Sequence, residues 1–200
     1  MDIVFKAGIK ERILQEQNLS IEFGPGIARS VPDAITIDRL ALDTVDIVCD
    51  LEKGIPLPDN SVEYAFSSHF LEHVSDLVFF MKEVHRVLKP GGIFESFVPH
   101  FSNPYYYSDP THRTPFGLYT MCYFASQPFG YKRKIPTFYF DFGFKIEEIR
   151  LIFKSKVKLI HKLKRSIQWL FNLHPRTQER YEEFFCYTFP AFEIFFRLRK

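Results

Sequence analysis

The tightest constraint on this chain is a repeated punctuation: three short apolar runs among its first fifty residues each stop at a glycine turn or a carboxylate. Leu19-Ser20-Ile21-Glu22-Phe23 runs into Gly24-Pro25-Gly26, Ala34-Ile35-Thr36-Ile37 ends at Asp38, and Val45-Asp46-Ile47-Val48-Cys49 ends at Asp50. Runs this short, rich in β-branched residues and bounded by turn signals, read as buried strands rather than helices. In an open α/β sheet, ligands gather at the carboxyl ends of the strands, so an acid in that position faces a ligand rather than solvent.

The rest of the chain continues the alternation. Pro56 to Ser61 reads as a turn and Val62 to Phe66 as a strand. Leu77, Phe80, Met81, Val84, Val87 and Leu88 then recur at helical spacing, with Ser75 available as N-cap. Lys89-Pro90-Gly91-Gly92 stops that helix, and Ile93 to Val98 is the next strand. Phe144 to Phe153 and Phe192 to Leu198 read as late strands, with a mainly helical stretch between them. Ile3 to Gln17 carries a weak amphipathic pattern, read as an N-terminal helix within residues 1–18. Residues 99–136 lack periodicity and read as a long ordered loop, with one short helix around Leu118 to Ala125.

In this order the residues resemble the class I S-adenosylmethionine-dependent methyltransferase superfamily, in particular the type 11-like group. The likeness runs from about Leu19 to Pro115, roughly half the chain. Glu22-Phe23-Gly24-Pro25-Gly26 resembles the glycine-rich cofactor loop. The stretch from Pro58 to Val74 is similar to the family's fourth strand and following turn, and Arg86-Val87-Leu88-Lys89-Pro90-Gly91-Gly92 to its late Leu-Lys-Pro-Gly-Gly motif. The resemblance implies a Rossmann-like α/β fold with a doubly wound, mostly parallel sheet and antiparallel C-terminal strands, formed by residues 1–200 as a single domain. It implies S-adenosylmethionine as cofactor, held by Glu22, Gly24, Gly26, Asp38, Asp50, Leu51 and Ser67. In that scheme Glu22 holds the methionine amino group, Asp38 the ribose hydroxyls and Asp50-Leu51 the adenine. Asp38 follows Gly26 by only twelve positions, so the usual crossover helix is very short or replaced by a turn.

Methyl transfer from a sulfonium is an in-line displacement, which asks the protein to align a nucleophile, exclude water and, where required, remove a proton. The candidate catalytic groups are His69, just after the fourth strand, and His100, Asp109 and His112 in the long loop. Tyr105 and Tyr106 are candidate substrate contacts. His69 and His73 are four apart, but the order His-Phe-Leu-Glu-His is not that of a zinc protease, and no metal is expected. His73 reads as a hydrogen-bonded residue that fixes the turn. The expected reaction is O- or N-methylation of a small metabolite, glycan or lipid-linked acceptor. The rival readings are a cofactor-binding module without turnover and a membrane-surface adaptor on the same fold.

Composition narrows the partners. A net charge of +2 is too small to suggest nucleic-acid binding. Cys49, Cys122 and Cys186 are odd in number and far apart, so reduced, buried thiols are expected. The first twenty residues lack a signal-peptide pattern, and Phe184 to Phe196 is too short to span a bilayer and contains Glu193, so the expected location is the cytoplasm. One segment stands apart. From Arg150 to Arg165 there are seven Lys or Arg and no acid, while Val157, Ile160, Leu163, Ile167 and Leu170 recur at helical spacing. This is a basic amphipathic helix within a helical insertion at 154–190. Its apolar side either packs on the domain, or residues 154–171 touch an anionic membrane and make the protein peripheral to it.

Overall fold

The computed structural model describes residues 3–136, 138–155 and 157–200. Met1 and Asp2 of the expected N-terminal helix and Lys156 of the basic run lie outside the described residues. In chain order the elements are β1 (Val4–Phe5), α1 (Ile9–Gln15), β2 (Leu19–Phe23), β3 (Ile35–Asp38), β4 (Ile47–Val48), β5 (Val62–Ser68), α2 (Leu77–Val87), β6 (Leu88–Pro99), β7 (Lys145–Ile152), α3 (Lys158–Phe171), α4 (Pro175–Arg180) and β8 (Glu193–Arg199).

The eight strands form one sheet in the order β1-β4-β3-β2-β5-β6-β8-β7. Strands β4, β3, β2, β5 and β6 are parallel, whereas β8 runs antiparallel to both β6 and β7. This is the doubly wound, mostly parallel sheet with antiparallel C-terminal strands. From β2 the chain moves outward to β3 and β4, then returns to β5 on the other side of β2. The strand order therefore reverses next to β2, and a crevice opens at the carboxyl ends of β2 and β5. Buried on both faces, the central strands carry apolar side chains almost throughout: Leu19, Ile21, Phe23, Ile35, Ile37, Val62 and Ala65 are fully enclosed.

Helix α2 covers one face of the sheet because Phe80, Met81, Val84 and Val87 fall on one stripe, all buried. Each such side chain contributes roughly 1.5–3 kcal/mol relative to exposure. Asp76, not Ser75, caps this helix, accepting from the Phe79 amide at 2.9 Å, while the Ser75 amide donates to Glu52 Oε1. The helix passes directly into β6 at Leu88, which pairs with Val62, so the Lys-Pro-Gly-Gly segment lies inside the strand.

One further expectation is corrected, and the short crossover after Gly26 is made of turns, as its spacing implies. The N-terminal segment is not one helix, because Val4–Phe5 pairs antiparallel with β4 and, among the described residues there, only Ile9–Gln15 is helical. No helix lies among residues 24–34, all of them described. Polar ties hold that crossover instead. Arg29 Nη2 meets Asp46 Oδ1 at 2.6 Å, Thr44 Oγ1 donates to the Gly26 carbonyl, and Asp46 Oδ2 accepts from the Thr36 amide and hydroxyl. The long loop carries short 3₁₀ turns at Pro104–Ser108 and Met121–Phe124. All three cysteines are free and buried. Among the described residues no helix is long and apolar enough to cross a membrane.

Candidate active site

A cleft of about 600 Å³ lies at the switch point, built from the turns that leave four neighbouring strands. Gly24 and Gly26 follow β2, Asp38 closes β3, Asp50 and Leu51 follow β4, and His69 and Phe70 follow β5. Arg39, Leu40, Glu52, His73, Val74, Phe80 and Thr111 complete the lining.

The two glycines do different work. At Gly24, with φ +62°, a Cβ would lie 2.5 Å from Cδ2 of Phe70, so the bare backbone makes room for that ring. Phe70 in turn packs on Phe23 and Phe80, which ties the glycine turn to the core. At Gly26, with φ +56°, nothing lies within 4 Å of the point a Cβ would occupy, and the backbone borders open cleft.

Asp38 and Asp50 each use one oxygen locally and keep the other. Asp38 Oδ1 accepts from the Leu40 amide at 2.9 Å, and Asp50 Oδ1 from the Glu52 amide at 3.2 Å. Asp50 Oδ2 lies 3.8 Å from Lys53 Nζ. Among the described residues Asp38 Oδ2 has no hydrogen-bond partner. Each carboxylate thus presents an acceptor oxygen at the cleft. A cleft of this volume, one glycine open to it, two half-used acids and an apolar wall of Leu51, Phe70, Val74 and Phe80 fit a nucleoside.

His69 sits in the left-handed region at φ +53°, a conformation a β-carbon disfavours, at the end of the central strand. Its Nε2 bonds Glu193 Oε1 at 3.0 Å, and its Nδ1 lies 3.3 Å from Glu72 Oε1. The hydrogen bond to buried Glu193, then the Glu72 carboxyl, push the imidazole up to about 9 against the lowering effect of burial. Burial alone would raise Glu193, but its bonds to His69 and to Lys154, 2.6 Å away, hold it below the usual range. With both ring nitrogens turned to carboxyl groups and the ring cationic at neutral pH, His69 positions the turn and is no proton acceptor there.

Several sequence-read residues are not brought to the cleft. Glu22 is buried with its carboxylate accepting from the amides of Ser30 and Val31 at 2.9–3.0 Å, so it anchors the crossover loop. Ser67 bonds Ser96 across β5 and β6 at 2.9 Å and is fully enclosed. His100 is likewise enclosed, bonded to Ser102 Oγ and Glu182 Oε1, as a core histidine. Tyr105 is exposed away from the cleft, and Tyr106 is buried against the His112 ring. Asp109 folds back on Thr111, accepting from its amide and hydroxyl. His112 packs at the rim against His73, their ring centroids 4.8 Å apart, and donates Nδ1–H to the Tyr106 carbonyl. Sequence reasoning named Leu51 but missed Thr111 and the rest of the apolar wall, although Phe70 and Val74 lie inside the stretch read as the fourth strand and following turn. It also missed Glu193, whose partner His69 is 124 residues away and leaves no local signal.

Known proteins share the fold that builds this cleft. A family model described as a methyltransferase domain matches residues 25–95. A demethylmenaquinone methyltransferase of Geobacillus stearothermophilus is 40% identical over 52 residues, which is 26% of this chain and 22% of that protein. The match thus spans about a fifth of the relative's length. Among solved structures, a SAM-dependent methyltransferase from Archaeoglobus fulgidus superposes with a TM-score of 0.57 at 16% identity, covering 97% of this chain and 92% of that one. Phosphoethanolamine N-methyltransferase 2 of Haemonchus contortus, in complex with S-adenosyl-L-methionine, gives 0.59 at 15% identity over 96% of this chain and 51% of its own. At these identities the likeness is one of fold. Strand order and the cleft at the switch point give the chain the fold of the class I S-adenosylmethionine-dependent methyltransferases, and the methyltransferase-domain match over residues 25–95 takes in Asp38, Asp50 and the turn after β5.

Proposed function

We propose that this chain transfers the methyl group of S-adenosylmethionine to an oxygen or nitrogen of a small acceptor entering the cleft beside His69, His73 and Thr111. The carrying observation is the convergence on one cleft of an open glycine turn and two acids with unused oxygens. When bound, S-adenosylmethionine supplies an electrophilic methyl group. The chain's own residues bind, orient and dehydrate. Asp38 receives the ribose hydroxyls, and Asp50 with Leu51 receives the adenine. Gly26 lets the backbone approach the ligand, while Phe70, Val74 and Phe80 exclude water from its flank. His69 holds the turn after β5 through Glu193. In this reading residues 1–200 act as one domain. Purified protein should bind S-adenosylhomocysteine and release it from S-adenosylmethionine when offered a mixed library of hydroxyl and amine acceptors. No affinity for either nucleoside would overturn the reading; affinity without turnover would favour a non-catalytic binding module.

A lipid-linked acceptor at an anionic membrane surface is supported by α3. Val157, Ile160, Leu163, Trp169 and Leu170 are exposed beside Lys158, Lys162 and Arg165, while Ile167 and Phe171 turn to the core. Apolar area next to cations suits a headgroup boundary. Salt-sensitive sedimentation with phosphatidylglycerol vesicles, lost in Leu163→Glu, is the expected result; no sedimentation removes this acceptor class.

A further inference from the structure

The geometry points to a divalent transition-metal site, of the zinc class, formed by Glu72, His73 and His112 at the rim of the cleft. One donor atom from each of the three lies within 4.8 Å of the others. Glu72 is fully enclosed, and neither of its carboxyl oxygens has a hydrogen-bond partner among the described residues. Its one charged neighbour there, His69 Nδ1, is 3.3 Å away but out of line for a hydrogen bond. A buried carboxyl that makes no hydrogen bond costs several kcal/mol if ionised; the His69 imidazolium offsets part of this from 3.3 Å, and a metal ion held between Glu72 and the two imidazoles would supply the direct partner its oxygens lack.

The two histidines are oriented as metal ligands are. The Tyr106 carbonyl can only accept, so His112 Nδ1 carries the hydrogen of their 2.8 Å bond and Nε2 keeps its lone pair. Thr111 gives its hydroxyl hydrogen to Asp109 Oδ1 at 2.6 Å, so at 2.9 Å it accepts from His73 Nδ1–H, which again leaves Nε2 free. Asp109 Oδ2, 3.7 Å from His112 Nε2, is beyond hydrogen-bonding reach. Ligating histidines characteristically donate their other N–H to a carbonyl or, directly or by relay, to a carboxylate, and both do so here. The frame is fixed as well, because the amides of Arg113 and Thr114 donate to the Glu72 carbonyl and dock the 109–114 loop on the turn that carries Glu72 and His73.

Two imidazoles and a carboxylate suit Zn²⁺, with bonds of about 2.0–2.2 Å. Closing the triad to the roughly 3.4 Å edges of such a tetrahedron takes side-chain movements of about 1 Å. Three protein donors leave a fourth position. Because His73 and Thr111 line the cleft, that position is within reach of a hydroxyl oxygen on the acceptor; this last step rests on the methyl-transfer reading.

The test uses chelator-stripped, full-length protein titrated with ZnCl₂ by calorimetry, and with Co²⁺ to read visible d–d absorption. One equivalent should bind, and Glu72→Gln and His112→Ala should each weaken binding at least tenfold, with circular dichroism unchanged in His112→Ala. Absence of binding in the parent, or equal affinity in parent and a folded His112→Ala, overturns the site. S-Adenosylhomocysteine affinity measured on the same stripped samples separates the two readings. Nucleoside binding by a protein that takes up no Zn²⁺ removes the ion alone. Stoichiometric Zn²⁺ lost in the variants supports the ion whether or not the nucleoside binds.

Discussion

Asp38 gives the sharpest handle on the cleft, because its two oxygens have separate tasks. Oδ1 accepts from the Leu40 amide and shapes the turn after β3, while Oδ2 is left for the ribose. A hydrogen bond to a charged group contributes about 1.5–3 kcal/mol, so losing it should raise the dissociation constant about 10- to 160-fold. Asp38→Ala removes both tasks. Asp38→Asn keeps a carbonyl oxygen for Leu40 and replaces the second acceptor by a donor, so it should bind more weakly than the parent and more tightly than Asp38→Ala. Calorimetric titration with S-adenosylhomocysteine reads the ligand effect, and a melting curve on the same samples reads the turn. If Asp38→Ala binds within threefold of the parent while staying folded, the acid only shapes the turn and the ribose assignment fails.

The glycines should separate in the same assays. Gly24→Ala meets the Phe70 ring and a left-handed backbone, and should lose about 2–4 kcal/mol in urea unfolding; Gly26→Ala meets only the backbone penalty, about 1 kcal/mol, and should chiefly weaken nucleoside binding. The opposite order would mean that Phe70 does not rest on Gly24. Asp46→Ala strands Arg29 and the Thr36 amide and should cost about 2–3 kcal/mol at pH 7. Burial would raise the Asp46 carboxyl, but the bonds from Arg29 and Thr36 hold it below its ordinary 3.8. Its stabilisation is therefore complete above pH 3.8 and fades as pH falls through the lower folded value, so the gap between parent and variant should close in acid. A gap that stayed constant down to about pH 2 would show that the ion pair contributes nothing.

What could be read from the sequence follows how local each cause is. Strands β2, β3 and β5 were legible because β-branched runs encode burial within a few residues, and Asp38 and Asp50 because parallel strands deliver their ends to one edge. Two acids in the same register as their strand ends are a sequence-level signal for a cleft. His100 carries no such signal: it follows β6 as Asp38 closes β3, but the chain then turns inward, and Ser102 and Glu182 enclose it in the core. The anchoring role of Glu22 is hidden for a related reason. An acid before a glycine turn fits a ligand amine as well as it fits two backbone amides, and the need of the Ser30 and Val31 amides for an acceptor arises only from the turn-built crossover, which no local pattern reveals.

The same logic explains why Glu72 escaped notice while its neighbours His69 and His73 did not. A histidine pair four residues apart is visible as spacing, but the group that matters is a single carboxyl on a turn to which residues 109–114 dock through the Glu72 backbone carbonyl. Burial of a polar side chain is a property of the assembled fold. Glu72 lies inward on the turn Leu71–His73, where the His69 imidazolium faces it from one side and a cation held with His73 and His112 would give its carboxyl oxygens a direct partner. The loop that carries Thr111 to the cleft thus also completes the cation's cage, so removal of the ion should loosen residues 109–114 and be seen as faster amide exchange at Arg113 and Thr114, whose hydrogen bonds end on Glu72. Exchange at those two amides that ignores Zn²⁺ would separate the loop from the ion.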